Sequence, residues 1–296
     1  MTDLNDLQTR FLLPDAGVRG VHVQLHAAWQ EILSHAHYPA AARQLLGEAV
    51  AAAALFTGHA KVGGRLSVQL RGTGALRTLF AECTAAGTVR GIVQHEDGPE
   101  IPRDLTQLGD GALLAITIEN PGLDPREPQR YQSLVALQAP TLAEAFEDYF
   151  RQSEQLPTRL LLVADDHHAA GLMLQKLPGD EGDTDGWNRA GALFDTLTDA
   201  ELLATPPEAL LHRLFHQEGT QILGSRELAF ACSCSRERVS GMLESLGAQE
   251  AHAALDQGVV EVRCEFCGQM YRFNEAEIGE LFAPRPVLTE APARLQ

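Results

Sequence analysis

Four cysteines near the C-terminal end constrain the fold of this chain more than any other feature of its sequence. Cys232 and Cys234 form a Cys-X-Cys pair, and Cys264 and Cys267 form a Cys-X-X-Cys pair after the 29 intervening residues 235–263. Two such pairs supply four thiolates to one tetrahedral metal ion, and soft thiolates select zinc over hard cations. We therefore predict one Zn²⁺ site per chain, with these four cysteines as its ligands.

The spacing alone leaves two interpretations of this site open. Most four-cysteine sites are closed and structural, which favours a permanently bound, structural zinc ion. However, the Cα atoms of residues i and i+2 lie at most about 7 Å apart, and a disulfide tolerates up to about 6.8 Å. A strained, easily reduced disulfide could therefore close within Cys-X-Cys, and Cys264 could pair similarly with Cys267, which favours a reversible redox switch.

The module around the cysteines, 226–283, is small and has a thin apolar core. Zinc supplies about 10–16 kcal/mol of apparent folding free energy in small domains, whereas whole domains are stable by only about 5–15 kcal/mol. Oxidation of the ligands is therefore expected to unfold the module.

The N-terminal segment 1–178 predicts a mixed domain with a mainly antiparallel sheet. Three helices are expected, over 27–33, over 39–56, and after a capping box of Thr141 with Glu144, where Pro157 ends the helical pattern. The alanine content of the second helix implies close packing of a neighbouring element. Strands are predicted where apolar runs lie between glycine, proline or acidic turns, namely over 21–25, 65–70, 76–83, 88–93, 113–118, 131–137, 160–163 and 171–177. Their close spacing favours antiparallel pairing, because parallel strands need long crossovers.

A different pattern begins at Pro178 and Gly179. An acidic turn over 180–185 leads into short apolar stripes that Pro206 and Pro207 interrupt, and these predict marginal helices that depend on packing. The predicted fold class is α+β in three parts. These are an N-terminal core domain (1–178), a metastable helical linker (179–225), and a C-terminal zinc-binding redox-switch module with a disordered tail (226–296).

Charge and apolar patterning exclude several classes of partner. The formal net charge is −17, whereas binding to nucleic acid requires a basic face, so we expect no nucleic-acid partner. The longest apolar run, 49–56, is far shorter than the roughly 20 residues that span a bilayer, so we expect no membrane partner. The N-terminal sequence has no secretory pattern, which indicates a reducing, cytoplasmic location.

No catalytic constellation is recognisable by spacing, and we do not expect an enzyme. Cys83 lies in a predicted strand and is expected to be a buried, inert thiol. The run from Asp165 to His168 is expected to be a solvated turn, because adjacent side chains diverge.

The chain resembles the family of redox-regulated chaperones called the 33-kilodalton heat-shock protein or 33-kilodalton chaperonin. The resemblance is carried by FACSCSRERV around Cys232 and Cys234, by VEVRCEFCGQMYRF around Cys264 and Cys267, and by EDYFRQSEQLPTRL at 147–160. It implies an ATP-independent holdase that binds zinc and is inactive when reduced. Oxidation would then form the disulfides Cys232–Cys234 and Cys264–Cys267, release zinc and unfold the module. The partners it implies are unfolding client proteins during oxidative stress and, in the oxidised form, a second copy of the chain.

An alternative from a different class is a binding protein with a permanent structural zinc ribbon. It predicts that the metal stays bound through mild oxidation and that loss of the cysteines only unfolds the C-terminal module.

Overall fold

The computed structural model of this chain describes residues 6–122, 124, 127–179 and 183–283. It divides into two compact units, Met1–Ala231 and Cys232–Gln296. The predicted boundaries at 178 and 225 stay predictions. The acidic turn predicted over 180–185 lies partly outside the described residues, and the predicted disordered tail lies outside them from 284 onward.

The first unit contains two sheets and six α-helices among its described residues. Its strands are β1 (Leu7–Leu13), β2 (Val18–Leu25), β3 (Arg65–Arg71), β4 (Leu76–Thr84), β5 (Thr88–His95), β6 (Leu113–Asn120), β7 (Gln129–Val135), β8 (Thr158–Ala164), β9 (Ala169–Lys176), β10 (Gln221–Glu227) and β11 (Ala229–Phe230). Its helices are α1 (Ala27–Ser34), α2 (Ala40–His59), α3 (Leu142–Tyr149), α4 (Gly186–Phe194), α5 (Asp199–Ala204) and α6 (Pro207–Phe215). No helix in the described part of the chain combines the length and apolar character needed to cross a bilayer.

Both sheets are built almost wholly from antiparallel pairs. The first sheet has the strand order β10-β1-β2-β9-β8, and the second has the order β11-β5-β4-β3-β6-β7. Among the described strands, only the short pairing of β11 with β5 is parallel. The predicted α+β class with mainly antiparallel sheet is therefore confirmed.

Helix α2 contacts strands of both sheets and is buried along most of its length. Its alanines keep the helix narrow, and glycines on the two sheets let its larger side chains approach. A Cβ atom at Gly91 in the second sheet would lie 2.9 Å from Leu46, and one at Gly171 in the first would lie 2.6 Å from Leu55. Such distances are too short for carbon atoms in contact. The close packing predicted from the alanine content is therefore confirmed.

Helices α4, α5 and α6 cover the other face of the first sheet. An apolar cluster joins them to the sheet, and Phe11 on β1 stacks on Phe215 of α6 with ring centroids 6.2 Å apart. The side-chain amide of Gln24 on β2 donates a hydrogen bond to the carbonyl of Leu203 at 2.8 Å. The broken helical pattern after Gly179 thus corresponds to three short helices whose apolar sides are buried against the sheet.

The second unit has a small apolar core. Its elements are α7 (Arg236–Leu246), α8 (Ala248–Ala253), β12 (Val259–Arg263), β13 (Met270–Asn274) and α9 (Glu275–Leu281), and β12 and β13 form an antiparallel hairpin. Its core cluster consists of the buried side chains Val239, Leu243, Ala251, Val260, Phe273 and Ile278. Asn274 and Glu277 form a capping box at the start of the last helix.

Two histidines in the first unit, His22 and the partly buried His59, make it sensitive to acid. His22 on β2 is fully buried, and both of its ring nitrogens have no hydrogen-bond partner among the described residues. Burial lowers the pKa of His22 to about 4, and burial together with the charge of Arg19 lowers the pKa of His59 to about 4. The unfolded chain, with histidine pKa values near 6.5, therefore binds protons more readily than the folded chain below that pH.

We accordingly expect the contribution of these two histidines to the free energy of unfolding to be fully present above pH 6.5. It should be lost as the pH drops towards 4. For His22 alone the loss amounts to roughly 2–4 kcal/mol, since each pKa unit corresponds to about 1.4 kcal/mol. Urea titrations across this pH range measure it. His22→Leu should flatten the dependence, whereas His37→Leu, at an exposed position, should leave it as steep as in the parent. An equal slope in His22→Leu and the parent would contradict the assignment.

Candidate metal centre

Local structure in the second unit places the two cysteine pairs at the ends of regular elements. Cys232 and Cys234 precede α7, whose first turn is capped by the Ser235 hydroxyl accepting a hydrogen bond from the Arg238 amide. Cys264 follows β12, and Cys267 lies in the turn that leads to β13. The Gly268 amide donates to the Cys264 carbonyl at 2.8 Å, and Gly268 has a φ of 68°, which favours glycine. This turn aims both thiols of the Cys-X-X-Cys pair to the same side.

All four predicted ligands come together. The sulfur atoms of Cys232, Cys234, Cys264 and Cys267 all lie within 4.8 Å of one another. Across the two pairs, the Sγ atoms of Cys232 and Cys264 are 3.6 Å apart, and those of Cys234 and Cys267 are 3.4 Å apart. A tetrahedral zinc ion with bonds of about 2.3 Å requires sulfur–sulfur distances of about 3.8 Å. The cluster therefore fits one zinc ion, and all four cysteines are free thiols.

Neighbouring groups shift the pKa values of three of the thiols in different directions. Burial raises the pKa of the Cys234 thiol, but hydrogen bonds from Tyr271 and from the other thiols outweigh it and bring the pKa to about 7. Burial raises the pKa values of Cys232 and Cys267, and hydrogen bonding to neighbouring thiols adds to the rise. Of these three thiols, Cys234 therefore most readily becomes a thiolate, the form that binds metals and reacts with oxidants.

Tyr271 contacts the cluster, although no motif in the sequence marks it as a functional residue. Its hydroxyl donates a hydrogen bond to the Sγ atom of Cys234 at 3.1 Å, and this bond raises the pKa of Tyr271 to about 12. Tyr271 lies opposite Val262 in the hairpin. The register of β12 and β13, once known, would have placed this side chain beside the cysteines.

We expect Tyr271→Phe to weaken zinc binding about tenfold, the lower end of the effect typical of residues that orient metal ligands. The variant removes one hydroxyl and leaves the ring, so the fold should persist. Competition with a chromogenic zinc chelator measures the affinity. Tyr131→Phe is a matched control at an exposed tyrosine of the first unit. Equal affinity of Tyr271→Phe and the parent would show that the hydroxyl does not support the site.

The other residues considered from the sequence have structural roles. Cys83 is fully buried, as predicted, and burial raises the pKa of its thiol to about 11. The carboxylate of Asp165 accepts hydrogen bonds from the amides of His167 and His168, and Asp166 pairs with Arg43 at 2.5 Å. The segment from Asp165 to His168 is therefore a turn whose polar groups are held locally.

Known proteins similar to this chain share both its sequence and its fold. A family model described as Hsp33 protein matches residues 6–274. The 33 kDa chaperonin of Ectopseudomonas mendocina is 42% identical over 300 residues, covering 98% of this chain and 99% of that protein. The 33 kDa chaperonin of Chromobacterium violaceum is 40% identical over 279 residues, covering 94% of each.

A solved structure agrees. The crystal structure of the 33 kDa chaperonin (heat shock protein 33 homologue) from Thermotoga maritima superposes with a TM-score of 0.75 at 23% identity, covering 94% of this chain and 97% of that one. At this identity the superposition shows a shared fold. The family match and the identities of 40% and 42% to the two other chaperonins indicate common descent. The resemblance read from the cysteine motifs is thereby confirmed, and the chain belongs to the Hsp33 family of chaperones.

Proposed function

We propose that this chain is a redox-regulated, ATP-independent holdase, inactive when reduced and zinc-bound, and activated by oxidation. The observation that carries the proposal is the set of four partly exposed thiols within 4.8 Å of one another, in a unit with a small apolar core. A large core would keep the unit folded after oxidation of the ligands. A core of this size leaves the unit dependent on the sulfur cluster.

The proposed ligands are Cys232, Cys234, Cys264 and Cys267, which hold one Zn²⁺ ion per chain in the reduced form. When bound, zinc supplies about 10–16 kcal/mol of apparent folding free energy, as in other small zinc domains. Each pair of thiols gives up two electrons and two protons to one molecule of peroxide, forming a disulfide and two waters. Disulfide sulfurs no longer serve as thiolate ligands, so oxidation removes the site and with it most of the stability of the unit.

Helices α4–α6 supply the second part of the proposal. Their apolar sides and the sheet face beneath them, including Phe11, Leu172 and Phe215, are buried in this structure. If these helices separate from the sheet after oxidation, they uncover an apolar surface suited to unfolding client proteins. We propose that clients bind there, that the oxidised chain forms a homodimer, and that the protein acts in the cytoplasm, where thiols stay reduced until oxidant stress.

The test is suppression of aggregation of a thermally unfolding protein by the full chain before and after treatment with peroxide at elevated temperature. The reduced, zinc-loaded form should be inactive, and the oxidised form active at near-stoichiometric amounts without ATP. Cys83→Ala is the control, because that buried thiol plays no part in the switch. An oxidised form that keeps its zinc, its helicity and its inactivity would instead support the permanent zinc ribbon.

Disulfide mapping tests the proposed pairing separately. All four sulfurs lie within 4.8 Å of one another, and the distances of 3.6 Å and 3.4 Å run across the two pairs. The proposed pairing within each motif therefore rests on the resemblance to the family and not on proximity. Peptide mass spectrometry of the oxidised chain should find Cys232 joined to Cys234 and Cys264 joined to Cys267. Predominant joining of Cys232 to Cys264 or of Cys234 to Cys267 would contradict this.

A further inference from the structure

A cleft of about 810 Å³ lies in the first unit, and none of its lining residues belongs to the cysteine cluster. It is lined by residues from β1, the end of α2 with the loop that follows, the end of β6, and β10. Its volume falls in the range of about 300–1,000 Å³ that is typical of small-molecule sites.

The charge of the cleft is opposite to that of the chain. Arg10, Lys61 and Arg226 line it, and no aspartate or glutamate is among the described residues that do so. The whole chain carries 40 acidic and 23 basic residues. Three cations around one cleft without a carboxylate are therefore unexpected from composition, and the cleft is a local site of positive potential.

The sheet register brings two of these cations to one face. In the ladder between β1 and β10, Gln8 lies opposite Arg226 and Arg10 lies opposite Gly224. Residues directly opposite in a ladder share a face, as do residues two apart along a strand. Arg10 and Arg226 therefore project to the same side of the sheet, towards the end of α2 and Lys61.

Arg226 has no counterion among the residues that the structure describes. One terminal nitrogen, Nη1, donates to the carbonyl of Ala85 at 2.6 Å, while Nε and Nη2 are buried and have no hydrogen-bond partner in the described part of the chain. Arginine stays protonated in proteins, and a buried charge without a partner is costly. Several other arginines of this unit are paired with a carboxylate, as Arg90 is with Glu82 at 3.0 Å. The uncompensated charge of Arg226 indicates a site that gains stability when an anion is present.

The end of α2 offsets only a small part of this charge. The C-terminal carbonyls of a helix amount to about half a negative charge, against three full positive charges. Neither Arg10 nor Lys61 has an acidic partner among the described residues, and both are exposed and able to reorient towards a ligand. Most of the positive charge of the cleft is therefore available to attract an anion.

We propose that this cleft binds a phosphate group, either as inorganic phosphate or as the phosphate of a small organic phosphate monoester. A concave site favours a small molecule over an extended surface, and its volume exceeds that of a single phosphate ion. Arg10 and Lys61 contact the phosphate oxygens with charge-assisted hydrogen bonds, and Arg226 contributes attraction from the buried side of the cleft. A bound anion links β10 electrostatically to α2 and β1.

The experiment is isothermal titration calorimetry of the full-length, reduced, zinc-loaded chain at constant ionic strength. The probes are inorganic phosphate, adenosine monophosphate and adenosine. Phosphate, adenosine monophosphate or both should bind saturably, while adenosine should not. The double variant Arg10→Gln with Lys61→Gln should weaken binding by at least about tenfold. Arg71→Gln, at an exposed arginine that does not line the cleft, should change it less than about twofold.

Each titration either supports or overturns phosphate binding in the cleft. Binding of inorganic phosphate alone identifies the free ion as the source, and binding of the monophosphate alone identifies an organic phosphate. Absence of binding by both overturns the proposal, as does adenosine binding as tightly as its monophosphate. A loss in Arg71→Gln equal to that in the double variant would mean diffuse attraction to surface charge and no specific site.

Discussion

Replacement of Cys264 and Cys267 by serine is expected to unfold the second unit without any oxidant. The two substitutions remove half of the sulfur cluster, and serine hydroxyls do not replace thiolates as zinc ligands. The core of six buried apolar side chains in this unit then has to compensate for about 10–16 kcal/mol of lost folding free energy, which exceeds the stability of most domains.

Three readouts follow for this variant. Bound zinc should fall from one ion per chain to none, far-ultraviolet circular dichroism should lose the signal of α7–α9, and aggregation suppression should no longer require peroxide. Cys83→Ala should match the parent in all three, since Cys83 lies in the first unit. A double variant that retains a folded second unit would show that the sulfur cluster does not hold it together.

Phe215→Ala is expected to free helices α4–α6 from the first sheet while the zinc site stays intact. Phe215 is fully buried and stacks on Phe11, and truncation of a buried phenylalanine costs about 3–5 kcal/mol. The helices are short, between six and nine residues, and isolated helices of that length are unstable in water. The lost free energy therefore mainly weakens the packing of these helices against the sheet.

The proposed mechanism predicts partial chaperone activity of this variant in the reduced, zinc-bound state, together with faster amide hydrogen exchange in α4–α6. Phe146→Ala is the matched control, because it removes an equally buried ring from the other side of the sheet, beside α2. That variant should lose global stability without activity under reducing conditions. Equal activity of the two variants would attribute client binding to general destabilisation.

Much of the first unit could be predicted from its sequence because its strands are short, alternating and separated by turn residues. The predicted strands 65–70, 76–83 and 88–93 fall within β3 (Arg65–Arg71), β4 (Leu76–Thr84) and β5 (Thr88–His95). Local patterns specify such hairpin-linked strands, since each pairs with its neighbour in sequence.

Strand β10 could not be predicted in this way. It pairs with β1, which lies at the opposite end of the first unit in sequence, and most of its side chains are exposed, so neither alternation nor a neighbouring turn marks it. Strand β1 was not predicted for a related reason. Its buried polar residues Gln8 and Thr9 break the apolar pattern, and their burial depends on distant partners.

In the candidate site, too, local sequence patterns predict some features and miss those that depend on distant parts of the chain. Cysteine spacing alone identified all four candidate ligands, because the chemistry of a zinc–thiolate site restricts both residue type and separation. Tyr271 and the cleft around Arg226 were not identified, because their roles depend on hairpin register and on a long-range strand pairing.

Activation through loss of zinc and oxidation of the cysteine cluster is tested by counting thiols and zinc in the same sample before and after peroxide treatment. The chain has five cysteines. The reduced chain should hold one zinc ion and, once denatured, give five titratable thiols. The oxidised chain should hold no zinc and give one thiol, that of Cys83. Retention of the zinc ion and of five thiols, in a sample that nevertheless gains chaperone activity, would show that oxidation of the cluster is not the switch.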